Sequence, residues 1–178
     1  LLVHFEKADK KFKYPSVFTQ GFLSFAGEET QTGEMAEFEA DQKKKAALEK
    51  EIRQAIADGF NVFITGMARG VDIWAAEIVL RLRDAGEAVR LICACPYQGF
   101  ERGWKQSWQE RYQAILSAAD LVRFICPGYS RSCFQRRNEW MVNHAARVVA
   151  VWNGQPSGTK NTIDYARRMG VPVVAAKV

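Results

Sequence analysis

Histidine is nearly missing from this chain: of 178 residues only His4 and His144 are histidines, and neither falls in a loop that follows a strand. The usual general base for a serine or cysteine nucleophile is therefore not available where a site would form. Long apolar runs are missing too. No stretch approaches the roughly 20 residues that span a bilayer, and residues 1–14 become charged after their first positions, with no signal-peptide core. These features set the expectation of a cytoplasmic protein with no membrane partner; the first residue is Leu, not Met, as in a trimmed or partial chain. Neither a GxGxxG fingerprint nor a Walker A sequence occurs, because no Gly-Lys-Ser/Thr closes a glycine loop. Cysteine is limited to Cys93, Cys95, Cys126 and Cys133. The spacing of the first two puts both on one face of a strand and is wrong for a CxxC knuckle, so buried thiols are expected and no metal site is assigned.

What is present describes one globular domain. Hydrophobic residues make up 48% and charged residues 25%, an ordinary balance, in a chain long enough to close a single core around a central sheet. The formal net charge is +5 and the isoelectric point about 9.1. That excess permits nucleic acid or a phosphorylated ligand as partner, and equally describes scattered surface Lys and Arg.

Short Val/Ile/Leu runs alternate with helical periodicity. Apolar runs at 61–65, 89–95, 121–126, 148–152 and 171–175 read as strands. The segments between them, and 34–58 before the first, read as helices. Ser16–Thr19 reads as an earlier strand, and residues 1–15 as an N-terminal extension without an assigned role, which leaves 16–178 as the domain. Near-continuous apolar strands separated by helices imply a parallel sheet covered on both faces. The expected fold is a three-layer α/β, Rossmann-like, doubly wound and mostly parallel domain. Ligands of such sheets lie beyond the carboxyl ends of the strands.

Four strand-end loops carry unusual chemistry. In the first, Thr65 leads into Gly66-Met67-Ala68-Arg69-Gly70, and a helix starts at once with Asp72 in its first turn. Backbone N–H groups at a helix start suit a phosphate; the same loop also reads as a tight corner. Asp72 would repel a nearby phosphate, and instead caps the turn or accepts a ribose hydroxyl. The second, Pro96–Glu101, has Trp104 and Trp108 behind it, aromatics that either stack a base or pack into the core. In the third, Arg131, Arg136 and Arg137 crowd a helix start ahead of Asn138, as an anion clamp or a solvated basic end. The fourth brings Ser157, Gly158 and Thr159 before a helix, as a second phosphate site or as ordinary N-capping.

These residues resemble the SLOG superfamily of Rossmann-like domains, which includes DprA (Smf) and the Lonely Guy phosphoribohydrolases, and most of all its YpsA-like branch. The motif carrying the resemblance is Thr65-Gly66-Met67, then Gly70-Val71-Asp72, then Trp74-Ala75-Ala76-Glu77. Pro96-Tyr97 with Glu101, Arg137-Asn138 and Gly158-Thr159-Lys160 with Thr162 recur in the same order. The resemblance spans about residues 42–175. It departs at Phe18-Thr19-Gln20-Gly21-Phe22, where the branch carries Thr-Gly-His-Arg-Pro, and at Lys160-Asn161-Thr162, where Lonely Guy enzymes carry an acid.

The resemblance implies a pocket for a nucleotide or nucleotide-derived ligand, lined by Thr65, Gly66, Met67, Ala68, Arg69, Gly70, Asp72, Arg137, Asn138, Ser157, Gly158 and Thr159. No cofactor other than such a nucleotide is identified, and no catalytic residue is assigned. A nucleotide-processing hydrolase using Glu77 or Asp72, and a single-stranded nucleic-acid binder like DprA, are the alternatives; homo-oligomers are compatible with all three.

Overall fold

The fold follows from how the apolar strands are buried. In the computed structural model, which describes residues 2–4 and 31–176, the strands β1 (Leu2–His4), β2 (Val62–Thr65), β3 (Arg90–Cys95), β4 (Leu121–Phe124), β5 (Val148–Ala150) and β6 (Val173–Ala175) form one sheet. Their order is β4-β3-β2-β1-β5-β6. Every residue of β2 is buried, and neighbouring side chains leave in opposite directions. Phe63 enters one hydrophobic cluster with Leu91, Cys93 and Cys95. Ile64 enters the other with Ala94, Val148 and Ala150.

The helices α1 (Gln31–Ala57), α2 (Val71–Asp84), α3 (Gln106–Ala118), α4 (Cys133–Asn143) and α5 (Gly158–Arg168) supply the outer layers. Leu48, Ile52, Ile73, Trp74, Tyr112 and Ile115, from α1, α2 and α3, close the first cluster. Met141, Val142, Ile163 and Ala166, from α4 and α5, close the second. The result is the expected three-layer α/β sandwich.

Parallel pairing joins β2 to β3, β3 to β4, and β5 to β6. The expectation for the N-terminal region is refined: Leu2–His4 forms a strand between β2 and β5, antiparallel to both. The strand expected at Ser16–Thr19, and the Phe18–Phe22 stretch, lie outside the described residues. Because β2 and β5 each oppose β1, they run the same way, and their carboxyl ends open on one edge. The chain crosses from β4 to β5 over the middle of the sheet, so strand order reverses there, the position where ligands of open α/β sheets bind.

The strand β4 departs from the expectation of burial. Leu121 is 50% and Phe124 41% exposed, because β4 is an edge strand with a sheet neighbour on one side only. Among the described residues no helix is long and apolar enough to cross a membrane.

Candidate functional site

The loop after β2 is folded by its own side chains. Thr65 Oγ1 donates to the Asp72 carbonyl oxygen at 2.9 Å and accepts the Met67 N–H at 3.4 Å. Asp72 Oδ2 accepts the Ala68 N–H at 3.1 Å. Met67 is buried and takes φ 60°, rare for a side chain other than glycine and a form of backbone strain that recurs at functional loops. Gly70 ends the loop at φ 85° and ψ −119°, a conformation that a Cβ would oppose, and as the N-cap of α2 it has no side chain of its own to cap the helix. The first turn of α2 therefore begins at the strand-end edge.

The second wall comes from α4. Arg137 donates from Nη1 to the carbonyl oxygen of Gly66 and from Nε to Asn138 Oδ1 at 2.9 Å. Arg137 and Asn138 are each only 6% exposed, and Asp72 is fully buried. Guanidinium and carboxylate converge beside Gly66: a Cβ there would lie 2.7 Å from Arg137 Nη1 and 2.9 Å from Asp72 Oδ2. Glycine is required by this close approach.

Burial raises the Asp72 carboxyl above the ordinary carboxylate range, against the pull of Arg137 and the Ala68 N–H; burial also lowers Arg137. The second carboxylate oxygen, Oδ1, has no hydrogen-bond partner among the described residues. A buried acceptor in that state is an exception that calls for an explanation.

The sequence-derived residues thus divide by position. Thr65, Gly66, Met67, Ala68, Asp72, Arg137 and Asn138 form one hydrogen-bonded frame. Arg69 points out of it, exposed, with its guanidinium 6.0 Å from the centre of the Trp104 ring. Ser157, Gly158 and Thr159 stand apart at the start of α5, where Ser157 Oγ accepts the Lys160 N–H at 3.3 Å as an N-cap. Gly158 is exposed and Thr159 is buried.

Two features of this edge escaped the motif reading as site residues. Glu101 is 8% exposed; one oxygen accepts from Gln113 at 2.7 Å and the other has no partner among the described residues. Tyr112 lies beside it and Cys95, fully buried, and its hydroxyl is pushed far up by burial. The signal in the sequence was Glu101 closing the Pro-Tyr loop, but nothing local marked that it would be buried.

Other chemistry is engaged elsewhere. Arg111 donates to both oxygens of Glu77, at 2.6 and 2.7 Å, and stacks on Trp108 at 4.3 Å. All four cysteines are free and buried, and the Cys95 thiol is pushed up to about 11 by burial, which keeps it protonated. No group of three His, Cys, Asp or Glu side chains is arranged around a metal position among the described residues. Grooves of about 540 and 420 Å³ follow α1 and the α1–α2 seam, lined by Glu49, Arg53, Trp74 and Arg81. Neither includes a strand-end loop residue; both are open, charged channels on the helical flank.

Comparison with known proteins bears on the family and the fold. The YspA SLOG family (YpsA) matches residues 31–169. The SPbeta prophage-derived protein YoqJ of Bacillus subtilis (strain 168) is 31% identical over 118 residues, 60% of this chain and 69% of that protein. A UPF0398 protein of Bacillus thuringiensis (strain Al Hakam) is 29% identical over 129 residues, 71% of this chain and 70% of its own length. Among solved structures, DNA processing protein A (DprA) of Streptococcus pneumoniae superposes with a TM-score of 0.55 at 19% identity, covering 91% of this chain. This chain spans 50% of DprA's length, and the likeness is one of fold.

Proposed function

This chain belongs to the YspA SLOG family, and we propose that it binds a nucleotide or nucleotide-derived small molecule at the carboxyl-end edge of its sheet. The observation that carries the reading is the buried Asp72–Arg137 frame at the glycine-led amino end of α2. A helix start presents a positive dipole end to a phosphate. Asp72 Oδ2 holds the loop through Ala68, and Oδ1 waits for a donor. A ligand hydroxyl entering past Ala68, as on a ribose, would satisfy it.

In this reading Arg137 and Asn138 are positioning residues, and exposed Arg69 is the countercharge that meets the ligand. The N–H groups of Gly158 and Thr159 take a second phosphate, while Ser157 caps α5. A hydrolytic role for Glu77 has less support, because both its oxygens are taken by Arg111.

Single-stranded nucleic acid is the second reading, favoured by the net charge of +5 and by a fold similar to that of a DNA processing protein. It predicts affinity that falls steeply with salt as counterions are released.

Native mass spectrometry of the freshly purified full chain, followed by titration with nucleoside mono- and diphosphates, tests the proposal. A co-purifying nucleotide, or saturable binding that weakens about tenfold or more in Arg69→Glu by loss of a charge-assisted contact, is expected. No bound nucleotide, and no binding at millimolar concentration, would overturn it.

A further inference from the structure

The loops after β3 and β4 carry aromatic rings that the core leaves uncovered. Tyr129 is 69% exposed and Phe134 36%. Tyr97 meets Tyr129 at 5.9 Å and Phe134 at 6.4 Å, and Phe100 meets Phe134 at 5.6 Å, all edge to face. The contacts form a rim in which each ring packs against its neighbour, so the exposed rings are held in place without a ligand.

Two separate ties bring this rim against the Gly66–Gly70 loop. Phe100 packs on Trp104 at 4.9 Å, and Arg69, from the loop itself, lies 6.0 Å from the Trp104 ring. On the other side, Phe134 occupies α4 one turn ahead of Arg137, whose guanidinium holds the Gly66 carbonyl. The rim and the loop are therefore two parts of one surface.

The charge on that surface is unbalanced. Arg131 follows Tyr129, and Arg136 follows Phe134, by two positions; both are exposed, and neither side chain has a hydrogen bond or ion pair among the described residues. By contrast, Arg53, Arg81, Arg83, Arg111 and Arg147 each meet a carboxylate. Exposed rings on the same loop and helix start as guanidinium groups without a carboxylate complement a ligand that is flat and aromatic at one end and anionic at the other.

We propose that this rim is the base-binding half of the site, with a nucleobase stacked on Tyr129 and Phe134 and its phosphates directed toward Gly66–Gly70. Arg131 and Arg136 offset the ligand's negative charge from the α4 side. This rests on the reading that the strand-end loops hold a nucleotide, and it adds the direction in which the nucleotide lies: base over the β3 and β4 ends, phosphate over α2.

The test is calorimetric titration of the full chain with adenosine monophosphate, ribose 5-phosphate and a short oligoadenylate. Adenosine monophosphate binds more tightly than ribose 5-phosphate. Tyr129→Ala, at a side chain too exposed to support the core, removes about tenfold of the adenosine monophosphate affinity, in line with base–aromatic stacking. It leaves ribose 5-phosphate unchanged, and Tyr129→Trp retains the base preference. Equal binding of the two phosphates, or unchanged adenosine monophosphate affinity in both Tyr129→Ala and Phe134→Ala, would overturn the inference and leave the phosphate site standing. Absence of binding by both phosphates would remove the nucleotide reading and this inference with it. Oligoadenylate binding far more tightly than the monophosphate, with steep salt dependence, would overturn it in favour of a nucleic-acid strand.

Discussion

Arg137 donates to the carbonyl oxygen of Gly66 across 71 residues of sequence, and this one contact ties α4 to the loop that ends β2. Both ends of the contact are buried, and the nearby Asp72 carboxylate is buried with them. Removing the guanidinium leaves a buried carboxyl without its countercharge and a carbonyl without its donor. Arg137→Met is expected to lower unfolding free energy by about 3–5 kcal/mol. Arg137→Lys should recover less than half of that, because an ammonium lacks the planar fork that reaches Asn138 from Nε and Gly66 from Nη1. Denaturant titration of the three proteins measures both effects.

Gly66→Ala tests the close approach from the other side. Its Cβ would fall 2.7 Å from Nη1 of Arg137 and 2.9 Å from Oδ2 of Asp72, so one of the two must move. The expected cost is about 1–3 kcal/mol, the range for overpacking a well-filled site. A midpoint shift in urea at constant slope would show it.

The Asp72 carboxyl gives stability a pH dependence with a definite sign. Its folded pKa is raised above the ordinary value of an aspartate, mainly by burial, so the folded protein takes up its proton at higher pH than the unfolded chain does. The linked stability is complete below the unfolded value and is lost as pH rises through the folded value. Wild type should therefore gain stability relative to Asp72→Asn as pH is lowered from neutral toward the ordinary carboxylate range. Urea unfolding of the two proteins across that interval reads the difference directly.

Glu77 supplies a contrast. Its carboxylate is 39% exposed and paired with a half-exposed Arg111, an arrangement worth less than about 1 kcal/mol. Glu77→Gln should unfold within that margin of wild type and bind nucleoside phosphates within about twofold, a change below 0.5 kcal/mol. A loss of nucleotide turnover in this variant, assayed as released base, would revive the hydrolase alternative.

The sequence exposed most of the scaffold because burial on two sheet faces leaves a plain mark. β2, β3 and β5 stood out as apolar runs, and α2 by the spacing of Val71, Trp74, Ala75, Ile78 and Val79, all of them buried. Strand ends were harder: β5 stops at Ala150, not Trp152, since Trp152 turns its indole N–H onto the Gln155 carbonyl at 2.6 Å. The strand Leu2–His4 is too short for any periodicity, and the edge position of β4 is a property of strand order, which local residue types do not encode.

The site was legible as a set of motifs but not as a division of labour. Nothing in the spacing of Arg137 shows that its guanidinium turns inward to Gly66 while Arg136 beside it stays exposed. The hydrogen bond that fixes that choice joins residues far apart in sequence. Ser157 proved an N-cap, the bland reading of the two, because its Oγ lies within reach of Lys160 N–H. Glu101 was hidden for the same kind of reason, since its burial depends on Gln113 and Tyr112 in the next helix.

The most direct test of the central claim is an amide chemical-shift map of the full chain during titration with a nucleoside diphosphate. We predict saturable shifts concentrated at Gly66–Gly70, Asp72, Gly158 and Thr159, with a smaller set at Tyr129–Phe134. Shifts confined to the α1–α2 groove around Glu49, Trp74 and Arg81, or no shifts at saturating ligand, would contradict it.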